Sequence, residues 1–496
     1  MSYDGFLLGL DIGSSSVKAS LVSVASGQTV ASTQSPEQEM SMLSVQSGWA
    51  EQDPELWWRH VKLASKKCIQ ESAIDSHSIL GIGIAYQMHG LVLVDKDFNS
   101  LRPSIIWCDS RAVEIGSEAF DELGHDYCLR NLLNSPGNFT ASKLKWVQKN
   151  EPQIYSKIYK VMLPGDFIAM KLTGEIKTTN TGLSEGIFLD YEENDISDLL
   201  LGHYGFDRTL FPERVNVFSK QGKVLNSVAH ELGLEPGTVV SYRAGDQPNN
   251  AFSLNALNPG ETAATAGTSG VIYTVTDKNV FDTQSRVNTF LHVTNTIETP
   301  RNGVLLCVNG TGILNSWVRK LIGADMSYQA MNELADQSPI GSSGISILPF
   351  GNGAERIVAN KEVGASIHGL NFNRHNQSHV CRAAQEGIVF ALKYGFDILQ
   401  SIGAGTTVIR AGRANMFLSS VFREAFVNVI GARLELYETD GAKGAALGAG
   451  VGAGIFASYA EAFRGLKRIG VEEVDKNKVE PYAEAYHLWK SKLEPA

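Results

Sequence analysis

Residues 7–18, LLGLDIGSSSVK, hold an apolar run that stops at Asp11, turns through Gly13 and three serines, and resumes as VKASLVSV. The pattern predicts two strands joined by a tight polar loop. Gly13 permits backbone conformations closed to other residues, and the small serines leave amide N–H groups and hydroxyls to converge on an anion such as a phosphate. Lys18, if it points toward the loop, adds positive charge, and Asp11 at the strand end is placed to hold a hydrated Mg2+. An ordinary surface hairpin, with Asp11 bonding turn amides, suits the same residues. A second loop of this type, AGTSG at 266–270, lies between strand-like ETAATA and VIYTVT. Two hairpin loops of one kind in a single chain predict a duplicated core.

Composition sets the outer limits. A chain of 496 residues exceeds one core and suits two domains of roughly 250 residues. The turn signal Asn258-Pro259-Gly260 places the expected boundary, giving domains 1–257 and 258–496. A net charge of -10 without a basic cluster argues against nucleic acid and an anionic membrane surface, which leaves small molecules as partners and a homodimer open. The five cysteines form no CxxC pair, so neither a zinc site nor a disulfide framework is signalled, and a cytoplasmic setting is the simplest expectation. The run GAALGAGVGAGIFASYA is too rich in glycine and alanine for a membrane span and reads as a closely packed helix.

Two further strand ends carry chemistry. ILGIGIAY at 79–86 is a continuous apolar run, as in a strand buried on both faces, and it ends in QMHG, Gln87 to Gly90. A strand SIIW then delivers Cys108, Asp109, Ser110 and Arg111. Polar side chains at strand ends are where open α/β sheets bind ligands. His89 alone reads better as a satisfied turn histidine; beside an Asp and an Arg at a neighbouring strand end, the binding reading overtakes it. TVVSYRAGD is a third such run, ending at Asp246, which suits a helix N-cap ahead of Pro248. In the second half TTVIRAGRANMF leads into a turn at Gly412, beside which Arg413 suits a solvated arginine. The last helix is expected to start at Pro481.

The two loops resemble those of the actin, Hsp70 and sugar kinase superfamily, whose related domains each offer a glycine-containing hairpin to the phosphates of ATP in an interdomain cleft. KLKWVQKN from Lys143 and LPGDFIAMKLTG, together with DIGSSSVK, QMHG and WCDSR, are similar to motifs of the FGGY carbohydrate kinases, above all their xylulose-phosphorylating members. The resemblance implies an α/β fold of two ribonuclease-H-like domains with a catalytic cleft between them. It implies phosphoryl transfer from MgATP to a hydroxyl of D-xylulose, giving D-xylulose 5-phosphate in pentose catabolism. Another ketose or polyol, or an ATP-driven sugar-sensing switch without transfer, is the alternative. Carried over residue by residue, it places Asp246 as general base, Asp11 at the metal and phosphates, and Met88, His89 and Asp109 on the sugar with Asp246. Gly13, Ser14 and Lys18 take the first phosphate loop, Gly267, Thr268 and Ser269 the second, and Gly412 and Asn415 the adenosine. Ser14 stands where threonine is usual and keeps the hydroxyl. Tyr86 stands where glycine is common before QMHG, which reshapes the local pocket.

Overall fold

The computed structural model describes residues 5–323, 325–353 and 355–493, and its backbone divides into two compact units. The first comprises Met1–Asn255, Phe290–Arg301 and Thr439–Leu466; the second comprises Ala256–Thr289, Asn302–Glu438 and Lys467–Ala496. The sequence suggested one crossing near residue 257, whereas two later segments return to the first unit. Among the described residues no helix is long and apolar enough to cross a membrane.

The first unit is built on a six-stranded sheet ordered Phe218–Lys223, Val239–Gly245, Ile79–Tyr86, Phe6–Ile12, Val17–Ser23, Thr29–Ser35. The second, third and fourth strands of that order run parallel, and their neighbours on either side antiparallel. Strand alternation divides the residues of Phe6–Ile12 between two faces. Leu8, Leu10 and Ile12 join a core with Trp57, Val61, Ala64 and Cys68 of the helix Pro54–Ser72 and Phe167 of the helix Pro164–Thr173. Asp53 caps the first of these helices, accepting from the Glu55 N–H at 3.0 Å, with Pro54 in the first turn where its missing N–H costs nothing.

Gly9 and Asp11 point to the other face, against the helix Gly441–Gly452. A β-carbon at Gly9 would overlap the Ala442 carbonyl, and one at Gly83 the Ala445 carbonyl. The glycine and alanine content of this helix thus lets backbone meet backbone over the parallel strands, as its composition suggested.

The second unit repeats the plan. Six consecutive strands of its seven-stranded sheet run Asn302–Val308, Gly270–Thr276, Thr262–Ala266, Val408–Gly412, Arg433–Tyr437, Arg468–Glu472, and each pair has the same sense as its counterpart in the first unit. The duplication expected from two similar loops is therefore a duplication of sheet topology. The helix Gln377–Ser401 runs through this unit's core and is buried along most of its length, not on a single stripe. The final helix begins at Lys476, so Pro481 lies inside its second turn instead of opening it; Trp489 anchors it by donating to the Ile347 carbonyl at 2.8 Å.

Candidate active site

In the first unit the three parallel strands end side by side: Ile12 pairs with Tyr86, and Tyr86 with Gly245. The loops that follow them, 13–16, QMHG and the turn into Asp246, therefore share one edge of the sheet, the edge at which open α/β sheets bind ligands. The Gln87 N–H donates to the Ile12 carbonyl at 2.8 Å and ties the first two loops together.

The loop 13–16 is closed by Gly13 N–H to the Ser16 carbonyl at 3.0 Å and braced from outside by Gln52 Nε2 on the Ser14 carbonyl at 2.7 Å. Gly13 does not take the left-handed conformation its identity allowed; it is absent from the positive-φ residues, and its small size instead clears the Ser16 carbonyl. Lys18 lies directly across the hairpin from Asp11 and is exposed.

Asp11 rests against the first residue of the helix Gly441–Gly452, where a β-carbon on Gly441 would overlap its carboxylate. Burial pushes its pKa up to about 6, against the pull of Lys18 and with a further push from Asp440. Asp440 caps that helix by accepting the Lys443 N–H at 2.8 Å. Asp246 is pushed up to about 7, by burial first and by the charge of Asp11 second. Gly245 occupies the cap position and Asp246 is the first helical residue, a half-buried carboxylate at the strand end that takes the backbone N–H groups of Gln247 and of Asp246 itself. Asp440 raises Asp11 and Asp11 raises Asp246, so a divalent cation held by Asp11 would relieve the repulsion at this edge.

Met88 and His89 are brought to the same place. Gly245 leaves no room for a β-carbon because Met88 and the Glu185 carboxyl fill that space. His89 adopts φ 61°, its Nδ1 lies 2.8 Å from the Glu185 carbonyl, and its ring meets Phe139 and Phe290 at centroid distances of 4.8 and 5.2 Å. Donation from Nδ1 makes Nε2 the acceptor of the neutral ring. Lys143, wholly buried, donates to the carbonyls of His89 at 3.0 Å and Ile106 at 2.9 Å, so the KLKWVQKN helix joins the QMHG turn to the WCDSR segment.

Asp109 is placed differently from the expectation of a sugar contact. Its carboxylate is fully buried and takes the Ala50 N–H at 2.6 Å, the Arg111 N–H at 2.9 Å and both arms of the Arg111 guanidinium. Arg111 itself sits between Trp49 and Trp146, 3.8 and 4.8 Å from their ring centres. No acceptor capacity is left on Asp109, so it shapes the segment instead of presenting a carboxylate.

In the second unit Thr262–Ala266 and Val408–Gly412 run parallel, and the turns after them meet. Asn415, at φ 52°, brings its amide nitrogen 3.3 Å from the β-carbon position of Gly267. The Gly312 N–H donates to the carbonyls of Gly267 and Thr268 at 3.0 and 3.1 Å, Thr268 is exposed, and Ser269 is partly so. Gly267, Thr268, Ser269, Gly412 and Asn415 thus form one cluster, while Arg413 is exposed.

Residues 6–253 match the family model described as the FGGY family of carbohydrate kinases, N-terminal domain. A curated relative, the xylulose kinase of Klebsiella pneumoniae, is 30% identical over 98% of this chain and 99% of its own. The chain belongs to the FGGY carbohydrate kinases. It is an ATP-dependent carbohydrate kinase. The crystal structure of a xyloylose kinase from Brucella ovis superposes with a TM-score of 0.86 at 26% identity, covering 98% of both chains. That of a Plasmodium falciparum glycerol kinase with ADP gives 0.85 at 20% over the same share, a likeness of fold alone. Glu185 and Asp440 went unnoticed in the sequence of this FGGY kinase. Asp440 carried a signal, an acid after a strand and before GAKG; Glu185 carried none, since its neighbours come from distant segments.

Proposed function

We propose that this FGGY kinase is a cytoplasmic xylulokinase that transfers the γ-phosphoryl group of ATP to D-xylulose, giving D-xylulose 5-phosphate. The observation that carries the reading is the meeting of Met88 and His89 with Gly245 and Asp246 at one sheet edge, in a chain whose curated relatives include xylulose kinases matching 98% and 89% of it. Met88 and His89 bind the sugar, His89 through an imidazole whose tautomer the Glu185 carbonyl sets. Asp246, half-buried and adjacent, accepts the proton of the attacking hydroxyl; a pKa near 7 in the ligand-free protein lies close to the working range of a general base. Gly13, Ser14 and Lys18 in the first unit, and Gly267, Thr268 and Ser269 in the second, are the phosphate-binding groups, with Gly412 and Asn415 at the adenosine. Asp11 would hold Mg2+, which supplies charge neutralisation on the phosphates when bound. The protein's own contribution is position and charge: it aligns a hydroxyl, screens it from water and takes one proton.

The test is ADP release over a panel of ketoses and polyols. D-xylulose should give the highest kcat/KM, by about 10²-fold or more over glycerol, gluconate and ribulose, because buried groups left unpaired by the wrong sugar penalise its transition state. A better substrate in that panel would overturn the xylulokinase reading. ATP hydrolysis without sugar phosphate would favour a switch.

A further inference from the structure

Below the QMHG turn lies a cluster of four buried polar side chains that the transfer scheme leaves unused. Tyr86, Asp166, Glu185 and Arg243 come from four separate elements, and each is at most 2% exposed. Asp166 is fully engaged: it accepts from the Leu163 N–H at 3.1 Å and Thr178 Oγ1 at 3.0 Å and stands 3.3 Å from Arg243 Nη1. Asp166 therefore balances the charge of Arg243. Among the described residues no Lys, Arg or His pairs with the Glu185 carboxyl.

The surroundings of Glu185 are those of the sugar site. One carboxyl oxygen, Oε2, fills the space a β-carbon on Gly245 would need, together with Met88. The His89 backbone N–H and the Tyr86 hydroxyl reach the same carboxyl, and the Glu185 carbonyl receives the His89 ring. The other oxygen, Oε1, is buried and has no hydrogen-bond partner among the described residues. Native proteins rarely leave such an atom unpaired, and an unmet polar group beside a binding site is a place for a ligand group. Burial first, and the charge of Asp246 second, push this carboxyl well above the ordinary carboxylate range, which favours its neutral form, able to donate one hydrogen bond and accept another.

We propose that Glu185 is a specificity-determining residue of the sugar site, its Oε1 hydrogen-bonding one hydroxyl of the sugar held by Met88, His89 and Asp246. The proposal rests on the sugar kinase reading above. Tyr86 is the positioning residue: it stands where a glycine is common in the family, fills the space over Gly165, and directs its hydroxyl at the Glu185 carboxyl. A sugar whose hydroxyl at that point is missing or inverted leaves the acid unpaired and binds less well.

The test uses the full chain with Glu185→Leu, Glu185→Gln and Tyr86→Phe, and measures calorimetric sugar affinity and kcat and KM for D-xylulose and its 3-deoxy and 4-deoxy analogues. Glu185→Leu should raise the KM and Kd of D-xylulose by about 10- to 100-fold, yet change those of one deoxy analogue by less than about 3-fold. The KM for ATP should stay unchanged. Glu185→Gln, which keeps a donor, should recover most of the loss, and Tyr86→Phe should fall between. A loss equal for all three sugars, or one that extends to ATP and tracks a lower Tm, would overturn the proposal in favour of a purely structural role. If the wild-type enzyme prefers another ketose or polyol, the xylulose assignment falls and Glu185 is judged on that sugar's deoxy analogues. If it binds no sugar, both fall.

Discussion

Asp246→Asn separates the chemical part of this residue from its electrostatic load. The substitution keeps the side-chain shape and an amide oxygen that can still accept the first-turn N–H of Gln247, since Asn caps about as well as Asp. In metal-free protein the pKa of Asp246 rises from 3.8 to about 7 on folding. Across that window the unfolded chain is ionised while the folded protein still holds the proton, so stability falls as pH rises and levels off above about 7. At 1.36 kcal/mol per pH unit the ceiling on this loss is about 4 kcal/mol; local relaxation and water at a half-buried carboxylate bring the expectation to about 1–3 kcal/mol. Asparagine carries no charge and avoids the loss. Thermal unfolding in the presence of a chelator should therefore find the variant equal to wild type near pH 4 and more stable at pH 8, by about 2–6 °C. Steady-state ADP release with saturating D-xylulose and MgATP should meanwhile fall by about 10² to 10⁴, the usual contribution of a general base. A variant that turns over at close to the parent rate would refute the proton-acceptor role. One less stable than wild type at pH 8 would refute the electrostatic reasoning.

His89→Ala should raise the sugar KM by about 10-fold or more and leave the KM for ATP unchanged, since the ring touches Phe139, Phe290 and the Glu185 carbonyl within the first unit. Asp109→Ala strips a fully buried partner from Arg111, which is itself only 1% exposed, and should cost about 3–5 kcal/mol in urea unfolding, whereas a sugar-contact role would change KM and spare stability. Gly441→Ala drives a β-carbon into the Asp11 carboxylate; a destabilisation of about 1–3 kcal/mol is expected by differential scanning calorimetry, together with a fall in kcat as Asp11 moves, and an unchanged kcat would show that the Asp11 position is not critical.

The amino-acid sequence alone determined the sheet strands and the polar groups at their ends, although the last helix starts at Lys476 and not at Pro481. Alternation in LLGLDI, the buried run ILGIGIAY and the small residues of GAALGAG are local patterns, and strand period, turn chemistry and close helix packing follow from them without knowledge of distant partners. The duplicated hairpin was legible for the same reason, and so was the presence of Asp11, His89 and Asp246 at strand ends. Tertiary structure decided which of these groups face one another and what each has left to offer. Asp109 looked like a ligand group beside Arg111, yet folding buries it and saturates both its oxygens with bonds from Ala50 and Arg111. Asp246 looked like a cap, yet the helix starts on it and leaves Gly245 in that place. Residues 290–301 and 439–466 rejoin the first unit after the chain has left it, bringing Phe290 to His89 and Asp440 to Asp11. Glu185 gained its place beside Tyr86, His89 and Gly245 only through contacts made across some sixty to a hundred residues of chain. A side chain's charge state and free valence depend on every group packed around it, and that packing is a property of the folded chain, which no local stretch of sequence contains.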